Sequence, residues 1–445
     1  CISCGKIMPQ DKNYYTCPDC GNLFLPERDE DHIRFQIGQG VEARAYFDNI
    51  RYGPLRKKYP YDSGVFMWLD YILPGFPKKA VLSLREGFTD LFEPPDWFKK
   101  EIGLRQLFVK MEGQSPSGSF KDRGMSVAVS ETRRLQLEHP ELGIKFIACA
   151  STGDTSASAA EYAAYYRDKL QCVVFLPYEK ISDSQLAQAM MAGAIVIAVK
   201  HPEGFDGCMK LIKEFCAKRH DITLVNSANA FRLVGQETIA LEIFQDLRWK
   251  APKWISIPVG NGGNLTALLF SCLRAKQIGL IKRLPGIVVA QTKSANTLVR
   301  WGHSKFKIYQ PGQFQNTVAS AMNIQNPVSF PRIKKLYQQF NIMFYDVGDK
   351  EIQKTRAMFD RAGCNVCPQG AVALNAVLQA RDDGKIKESD VTVAISTASG
   401  LKFTESAINY HLHGASIDYA NPYIVEETAT IEGIEASLNS RPEKI

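Results

Sequence analysis

At 445 residues the chain is long enough for two or three domains, and its 45% hydrophobic and 23% charged content is ordinary for a soluble globular protein. A net charge of +7 is mild at this length: it allows an anionic ligand and does not favour nucleic acid. The sequence has no basic run interleaved with aromatics, no secretory signal and no apolar stretch long enough for a bilayer. We therefore expect a cytoplasmic protein that binds neither nucleic acid nor membranes. Because the sequence starts at Cys1, the question of an upstream targeting peptide stays open.

The amino terminus carries two Cys-x2-Cys pairs with the spacing of a metal site. In each pair a glycine follows the second cysteine and lets the backbone turn tightly around an ion. Four thiolates at this spacing predict a zinc ribbon with a structural, tetrahedral zinc. Two disulfides in a small cap are the alternative. The four predicted ligands are Cys1, Cys4, Cys17 and Cys20.

Short apolar runs alternate with helix-like segments from about residue 105 onward, after a mixed segment at 26–80. This alternation predicts an α/β protein with parallel or mixed sheets that are flanked by helices. The predicted strands are 107–110, 145–150, 171–176, 194–199, 254–259, 286–290 and 391–395. The predicted helices are 65–73, 125–137, 156–168, 182–191 and 265–277.

The segment Ser117–Met125 has the composition of a reactive-lysine motif. Small residues lead to Phe120 and Lys121, and a helix-like stretch follows. A lysine that forms a Schiff base must be available as a neutral amine, and burial in a crowded pocket lowers its pKa. The segment therefore predicts that Lys121 holds pyridoxal 5'-phosphate (PLP). A surface lysine at the start of a helix is the alternative.

Three further polar loops follow predicted strands, where ligands of open α/β sheets usually bind. Loop 150–158 is rich in hydroxyls and can hold a carboxylate at a helix amino terminus, although an ordinary helix cap would look the same. Loop 259–264 carries three glycines that allow close backbone approach to a phosphate; a tight turn without a ligand is the alternative. In loop 396–402 a hydroxyl could meet a ring nitrogen.

Together these segments resemble those of threonine synthases, which are fold type II (tryptophan-synthase-β-like) PLP enzymes. Residues 117–125 are similar to the family's lysine motif, 150–158 to its Ala-Ser-Thr-Gly-Asn-Thr-Ser stretch and 260–264 to its phosphate loop. Some members carry an N-terminal zinc ribbon. The resemblance covers roughly residues 65–412, and further matching blocks are 86–89, 224–236 and 317–323.

The resemblance implies a role for each matching position. Lys121 would form the Schiff base, Thr397 would sit at the pyridine nitrogen and Arg232 would bind the substrate phosphate, unless it is a structural arginine. Asp154, which stands where many members have Asn, would face the cofactor's ring oxygen. The implied cofactor-binding residues are Phe120, Lys121, Asp154, Gly260, Asn261, Gly262, Gly263, Asn264 and Thr397. The implied substrate-binding residues are Ser119, Ser151, Thr152, Thr155 and Arg232.

The implied reaction converts O-phospho-L-homoserine and water to L-threonine and phosphate. Residues 398–402 differ from the family's Gly-His-Gly-Leu-Lys, on the side where substrate specificity is set. One alternative is therefore a cysteate-synthase-like enzyme that joins O-phosphoserine with sulfite by β-replacement. A second alternative is a non-enzyme, a ribbon-bearing binding protein with a relic fold, against which the intact Lys121 and glycine loop argue.

The predicted domain plan follows the same resemblance, and by analogy with the family we expect a homodimer. The domain boundaries are residues 1–25 for the zinc ribbon, 26–80 for an N-terminal arm, 81–124 and 236–415 for a large PLP-binding domain, 125–235 for a small domain and 416–445 for a C-terminal tail.

Overall fold

The structure of the chain, a computed structural model, describes residues 1–151, 153–178, 183–202, 204–312, 315–413, 418–425, 427 and 429–439. The strands are β1 (Leu91–Phe92), β2 (Leu107–Met111), β3 (Phe146–Ala150), β4 (Gln171–Pro177), β5 (Ile195–Val199), β6 (Ile222–Leu224), β7 (Trp254–Pro258), β8 (Gly286–Thr292), β9 (Ile342–Val347) and β10 (Thr392–Ser396). None of the helices in the described parts of the chain has the length and apolar character needed to cross a membrane.

Helices connect these strands and cover both sheets. They are α1 (Glu30–Ile37), α2 (Val41–Tyr52), α3 (Leu69–Ile72), α4 (Asp96–Glu101), α5 (Lys121–Glu138), α6 (Asp154–Tyr165), α7 (Asp183–Met191), α8 (Gly204–Lys218), α9 (Phe231–Gln236), α10 (Thr238–Asp246), α11 (Gly263–Gln277), α12 (Thr297–His303), α13 (Phe330–Leu336), α14 (Asp349–Arg361), α15 (Pro368–Asp382), α16 (Thr404–His413) and α17 (Ile431–Asn439).

The larger sheet has the strand order β1-β2-β10-β7-β8-β9 and is parallel except for β1. Successive side chains of a strand point to opposite faces, so each strand supplies two cores. Ile255 and Val393 belong to the core that also contains residues of α10 and α11. Val288 and Ala394 belong to the opposite core, with residues of α14 and α15. Burial on both faces explains why these strands are continuous apolar runs in the sequence.

The smaller sheet has the order β5-β4-β3-β6 and is parallel throughout. Ile147 and Val174 face α5 and α6 on one side, while Ala148 and Phe175 face α8 on the other. Helix α5 contributes Met125 to this core although its first residues lie beside the larger sheet. It is therefore the element that joins the two sheets.

The predicted α/β organisation is confirmed, and each predicted strand is present with its ends shifted by one or two residues. The sequence reading missed β1 and β6, which have only two and three residues, and β9, which is partly exposed at the sheet edge. The predicted helix at 65–73 is divided into a 3-10 turn at Phe66–Trp68 and the single turn α3. Trp68, the last residue of the 3-10 turn, packs on Phe47, with ring centroids 4.5 Å apart.

A buried group of charges ties α5 to the larger sheet. The Arg123 guanidinium lies 2.6 Å from Glu112 and 2.8 Å from Glu242, and Lys110 lies 2.9 Å from Glu242, all four side chains being fully buried. Burial alone would raise the pKa of Glu242, but Arg123 and Lys110 hold it well below its usual range. Lys110 also lies 3.2 Å from the less buried Asp246, so the two buried cations are balanced by Glu112, Glu242 and in part Asp246.

Replacing Glu242 by Gln should destabilise the protein by about 3–5 kcal/mol, since it removes the carboxylate that Arg123 and Lys110 share and leaves them with Glu112 and the less buried Asp246. Denaturant unfolding at neutral pH measures this change. Because the pKa of Glu242 is lower in the folded state, its stabilising effect is present at neutral pH and is lost as the pH falls below the usual range of a glutamate. Glu388→Gln is the matched control, since Glu388 pairs with Arg105 at the surface and should cost less than about 1 kcal/mol. Equal losses in the two variants would contradict the role of the buried charges.

Candidate active site

The loops that follow β7, β10 and the segment before α5 converge on one cleft, at the carboxyl ends of the larger sheet's strands. The space within the cleft, counted together with its open mouth, is about 750 Å³. Predicted site residues that line the cleft are Phe120, Lys121, Asp154, Arg232, Gly260, Asn261, Gly262, Gly263, Asn264 and Thr397.

Lys121 is the first residue of α5 and is held from both sides. The N–H of Phe120 donates to the carbonyl of Thr397 at 2.9 Å, and the Lys121 Nζ lies 4.1 Å from the centroid of the Phe120 ring. Burial and the positive charge of Arg232 lower the pKa of Lys121 to about 7, although Asp154 acts in the opposite direction. The amine is therefore available in its neutral form near neutral pH. The structure places it in the cleft, unlike the surface lysine that was the alternative.

The glycine loop is shaped by contacts that leave no room for side chains. A Cβ at Gly260 would lie 2.8 Å from the carbonyl oxygen of Ala321, and one at Gly262 would lie 2.7 Å from Cδ1 of Ile333. Gly262 also has a φ of +78°, which glycine adopts without strain. Helix α11 begins at Gly263, so its first N–H groups lack intrahelical partners and face the loop. This arrangement suits a phosphate group.

Helix α9 brings Arg232 next to Lys121 because α5 and α9 cross at two glycines. A Cβ at Gly235 would lie 1.7 Å from the carbonyl oxygen of Arg123, and one at Gly124 would lie 2.7 Å from that of Arg232. Burial lowers the pKa of Arg232 to about 10. Its Nη1 donates to the carbonyl of Val225 at 3.1 Å, while its Nε is buried without a protein partner. Among the described residues nothing accepts a hydrogen bond from this Nε.

Asp154 forms an ion pair that sequence reasoning did not foresee. Lys402 Nζ lies 2.8 Å from Asp154 Oδ1 and donates to the carbonyl of Ser117 at 2.9 Å. The pair neutralises the carboxylate at the edge of the cleft, so Asp154 does not add net negative charge there. Lys402 follows the loop of Thr397, and the positive charge of Lys402 also lowers the pKa of Lys121.

Of the remaining predicted substrate residues, Ser119, Ser151 and Thr155 are not among those that line the cleft. Ser119 is buried, and its Oγ accepts the N–H of Lys121 at 3.4 Å. Ser151 Oγ accepts the N–H of Gly153 at 3.2 Å. Thr155 lies in the first turn of α6, half-buried. Thr152 lies outside the described residues.

Other cleft residues escaped the sequence reading. Gln369 at the start of α15 has its amide oxygen and nitrogen buried without hydrogen-bond partners among the described residues. The same holds for Oε1 of Gln236 and for Nδ2 of Asn264, which was predicted. Ser227 also lines the cleft. Unpartnered buried amides are costly unless a ligand meets them, so the cleft fits a polar group such as PLP. Gln236 and Ser227 belong to the block 224–236, which was the one signal that could have found them.

The four predicted zinc ligands also come together. The Sγ atoms of Cys1 and Cys20 are 3.4 Å apart and those of Cys4 and Cys17 are 3.6 Å apart, with all four within 4.8 Å of one another. The four thiols are free, unlike in the two-disulfide alternative. Tetrahedral zinc with Zn–S distances near 2.3 Å needs sulfur atoms about 3.8 Å apart, so the cluster matches a Cys4 site.

Comparison with known proteins agrees with this geometry. A family model described as pyridoxal-phosphate dependent enzyme matches residues 82–398. The threonine synthase of Methanocaldococcus jannaschii is 36% identical over 92% of this chain and 93% of its own length. The chain belongs to the threonine synthase family of PLP-dependent enzymes.

Other similar proteins agree with the assignment to the threonine synthase family. "Threonine synthase 2, chloroplastic" of Arabidopsis thaliana is 40% identical over 80% of this chain and 68% of its own length. The structure of Escherichia coli threonine synthase matches with a TM-score of 0.61 and 21% identity, over 95% of this chain and 90% of that one. Maize serine racemase matches with a TM-score of 0.57 and 20% identity, over 74% and 93%. These two structures show the shared fold, and the predicted fold type II is confirmed.

The rate at which PLP attaches to Lys121 should follow the protonation of the amine. Only the neutral amine attacks an aldehyde, so with a pKa of about 7 the rate should rise with pH through 7 and level off above it. Arg232→Gln removes a positive charge that lowers this pKa and should shift the profile to higher pH. Mixing apoprotein with PLP at graded pH, then borohydride reduction and mass spectrometry, measures the attached fraction.

Arg105→Gln is the control for this experiment, because Arg105 is exposed and precedes β2 at the opposite end of the strands. Its profile should match the unaltered protein. If the profile of Arg232→Gln also matched, Arg232 would not set the pKa of Lys121.

Proposed function

We propose that the protein is a threonine synthase that converts O-phospho-L-homoserine and water to L-threonine and phosphate. The observation that carries the proposal is the cleft itself. It joins a lysine with a pKa of about 7, a glycine loop at the start of a helix and a buried arginine with an unpartnered Nε. This set of groups suits a cofactor with a phosphate and a substrate with a second phosphate. The curated relatives named above are threonine synthases.

The residues of the cleft would hold PLP in three places. The N–H groups of 260–264 would bind its phosphate, the Thr397 hydroxyl would meet its pyridine nitrogen and Phe120 would pack beside its ring. When bound, PLP supplies an electron sink for negative charge at the substrate α-carbon. A neutral hydroxyl at the ring nitrogen makes this sink milder than a carboxylate partner would.

Lys121 would move the protons of the reaction. A general base works best when its pKa lies near the working pH, and the Lys121 amine has a pKa of about 7. Its neutral form can take the proton from the α-carbon. Its protonated form can return a proton later. Burial and the positive charge of Arg232 together produce this value, so the protein itself prepares the base.

Arg232 would bind the substrate phosphate and stabilise it as it leaves the γ-carbon. A guanidinium grips phosphate with two parallel N–H donors, and burial strengthens the interaction because water does not compete. Arg232 retains one donor for the Val225 carbonyl, which fixes its plane, and its Nε has no acceptor among the described residues. The ion pair of Asp154 with Lys402 would keep the cleft from repelling this anionic substrate.

The assignments of Ser119, Ser151, Thr152 and Thr155 to the substrate, the homodimer, the cytoplasmic location and the domain boundaries stay predictions. We also propose that Cys1, Cys4, Cys17 and Cys20 hold a structural zinc ion, which their clustered thiols support.

The deciding experiment measures phosphate release by the PLP-loaded protein and identifies the amino-acid product. We expect L-threonine from O-phospho-L-homoserine. Lys121→Ala should lose activity, and borohydride should no longer fix PLP to the protein, because we assign the attachment of PLP to Lys121 and to no other residue. Lys402→Ala is the control, because it alters the edge of the cleft and should leave the PLP adduct of Lys121 intact. Comparing the two variants separates loss of the base from a change at the cleft edge.

A parallel assay offers O-phospho-L-serine with sulfite. Turnover of that pair alone would overturn the proposal in favour of β-replacement, while keeping Lys121 and the glycine loop in their roles. Absence of turnover with both substrates would also overturn it.

A further inference from the structure

We propose that the four-cysteine module (residues 1–25) positions the substrate-side segment (residues 226–236) of the active site, and that Arg332 is the positioning residue between them. The substrate-side segment contributes Ser227, Arg232 and Gln236 to the cleft. The proposal rests on the proposed function only where substrate kinetics are used as its measure.

Arg332 of α13 contacts both parts with one fully buried guanidinium. Its Nε and Nη2 donate to the carbonyl of Phe24 at 3.0 and 2.6 Å. Its Nη1 and Nη2 also reach the carbonyls of Ser227 and Ala228 at 3.4 and 3.3 Å. Within the described parts of the chain Arg332 forms no salt bridge, so only backbone carbonyls and the Ser329 hydroxyl, 3.4 Å from Nη1, compensate its charge. If Phe24 moved away, a buried cation would lose its shortest contact, so the two partners are held together.

The module also holds the strand that leads into the substrate-side segment. The Tyr15 hydroxyl accepts the N–H of Leu224 at 2.7 Å, and Asn13 Nδ2 donates to Thr223 Oγ1 at 3.3 Å. Thr223 and Leu224 belong to β6, an edge strand of three residues. Because β6 pairs with β3 alone, the contacts from the module supply much of its support on the other side.

Contacts continue along the segment to its far end. Cys17 and Phe24 of the module pack against Ala230. Directly after the module, Arg28 donates twice to Glu237, at 2.9 and 2.6 Å, and both side chains are buried. The substrate-side segment is thus held before its first residue, in its middle and after its last.

These contacts reach the groups that face the cleft. Arg232 Nη1 donates to the carbonyl of Val225, the residue directly after the strand that Tyr15 holds. The plane of the Arg232 guanidinium is therefore set by backbone that the module supports. Gln236 is followed immediately by Glu237, the partner of Arg28.

A metal bound by the cysteine cluster would stabilise the part of the module that contacts the substrate-side segment. Asn13 and Tyr15 lie in the loop between the two cysteine pairs, and a metal bound by all four thiols would fix both ends of that loop. Cys17 is 2% exposed and packs beside Ala230, so the metal site and the substrate-side segment are in contact. Loss of the metal should loosen the segment before it affects the glycine loop.

Hydrogen–deuterium exchange of the zinc- and PLP-loaded protein tests the proposal without relying on activity. Tyr15→Phe removes the acceptor of the Leu224 N–H and keeps the aromatic ring. In this variant, and after removal of the metal with a chelator, exchange in peptides covering 224–237 should rise about tenfold. Peptides covering 254–277 should be unchanged, and PLP should stay attached. Lys6→Ala is the control, because Lys6 forms an exposed ion pair with Asp19 inside the module and should change neither region.

Kinetics give a second measure. For Tyr15→Phe we expect the KM for O-phospho-L-homoserine to rise about tenfold while kcat changes less than about twofold, since the segment binds the substrate and does not move its protons. Arg332→Lys should behave similarly; if it does not fold, Tyr15→Phe and metal removal decide alone.

Unchanged exchange in 224–237 would overturn the proposal. An equal rise in 224–237 and 254–277 would also overturn it, because the module would then act on general stability alone. If neither phosphorylated substrate is turned over, the proposed function fails, and the exchange measurement still decides whether the module positions the segment.

Discussion

The fixed start of helix α5 is the constraint on which the active site depends. Lys121 is the first residue of this helix, and two residues later Arg123 enters a buried group of charges with Glu112 and Glu242. That group ties the helix to β2 and α10 of the larger sheet. Farther along, Met125 belongs to the core of the smaller sheet. The reactive amine therefore lies where both halves of the protein hold the same helix, and its position follows from buried charge balance.

The charged side chains of the cleft affect both the pKa of Lys121 and the attraction of an anionic substrate. The positive charges of Arg232 and Lys402 lower the pKa of Lys121, and a cation in the same cleft would attract an anionic substrate. Asp154 opposes both effects, but its ion pair with Lys402 offsets part of its charge. The basicity of Lys121 and the affinity for a phosphate are thus physically linked. A change in any of these side chains would alter both properties together.

The sequence predicted those parts of the site whose residues lie close together in the chain. The segment around Lys121, the loop 260–264 and the four clustered cysteines each carry a local pattern with a physical reason. Gln369 carries no such pattern, and Lys402 lies in the loop 396–402 without any local sign of its ion pair with Asp154. Both roles arise only when α15 and the loop after β10 are placed in three dimensions. The same holds for the contact between the four-cysteine module and the substrate-side segment.

Whether a strand could be predicted depended on its length and on how far it is buried. Strands buried on both faces are continuous apolar runs, and these were found with small errors at their ends. The strand β6 is too short to show a pattern, and β9 is partly exposed at an edge. Besides its pairing with β3, β6 contacts Asn13 and Tyr15, which lie more than 200 residues away in the chain. Contacts over such a distance along the chain do not change the local pattern of apolar residues, so the sequence does not reveal them.

Helix α13 links the two sides of the cleft to one another. Ile333 fills the space above Gly262, and the N–H of Ser329 donates to the carbonyl of Asn261, so this helix shapes the glycine loop. Arg332 on the same helix holds the carbonyls of Phe24 and Ser227. A single short helix therefore sets the cofactor side through one face and the substrate side through another. Arg332 and Lys335 of this helix both bond to backbone carbonyls of the module, those of Phe24 and Ile2. The substrate side therefore meets the module directly through the hydrogen bonds of Arg332, whereas the glycine loop is linked to the module through the helix, by the packing of Ile333 and the hydrogen bond of Ser329.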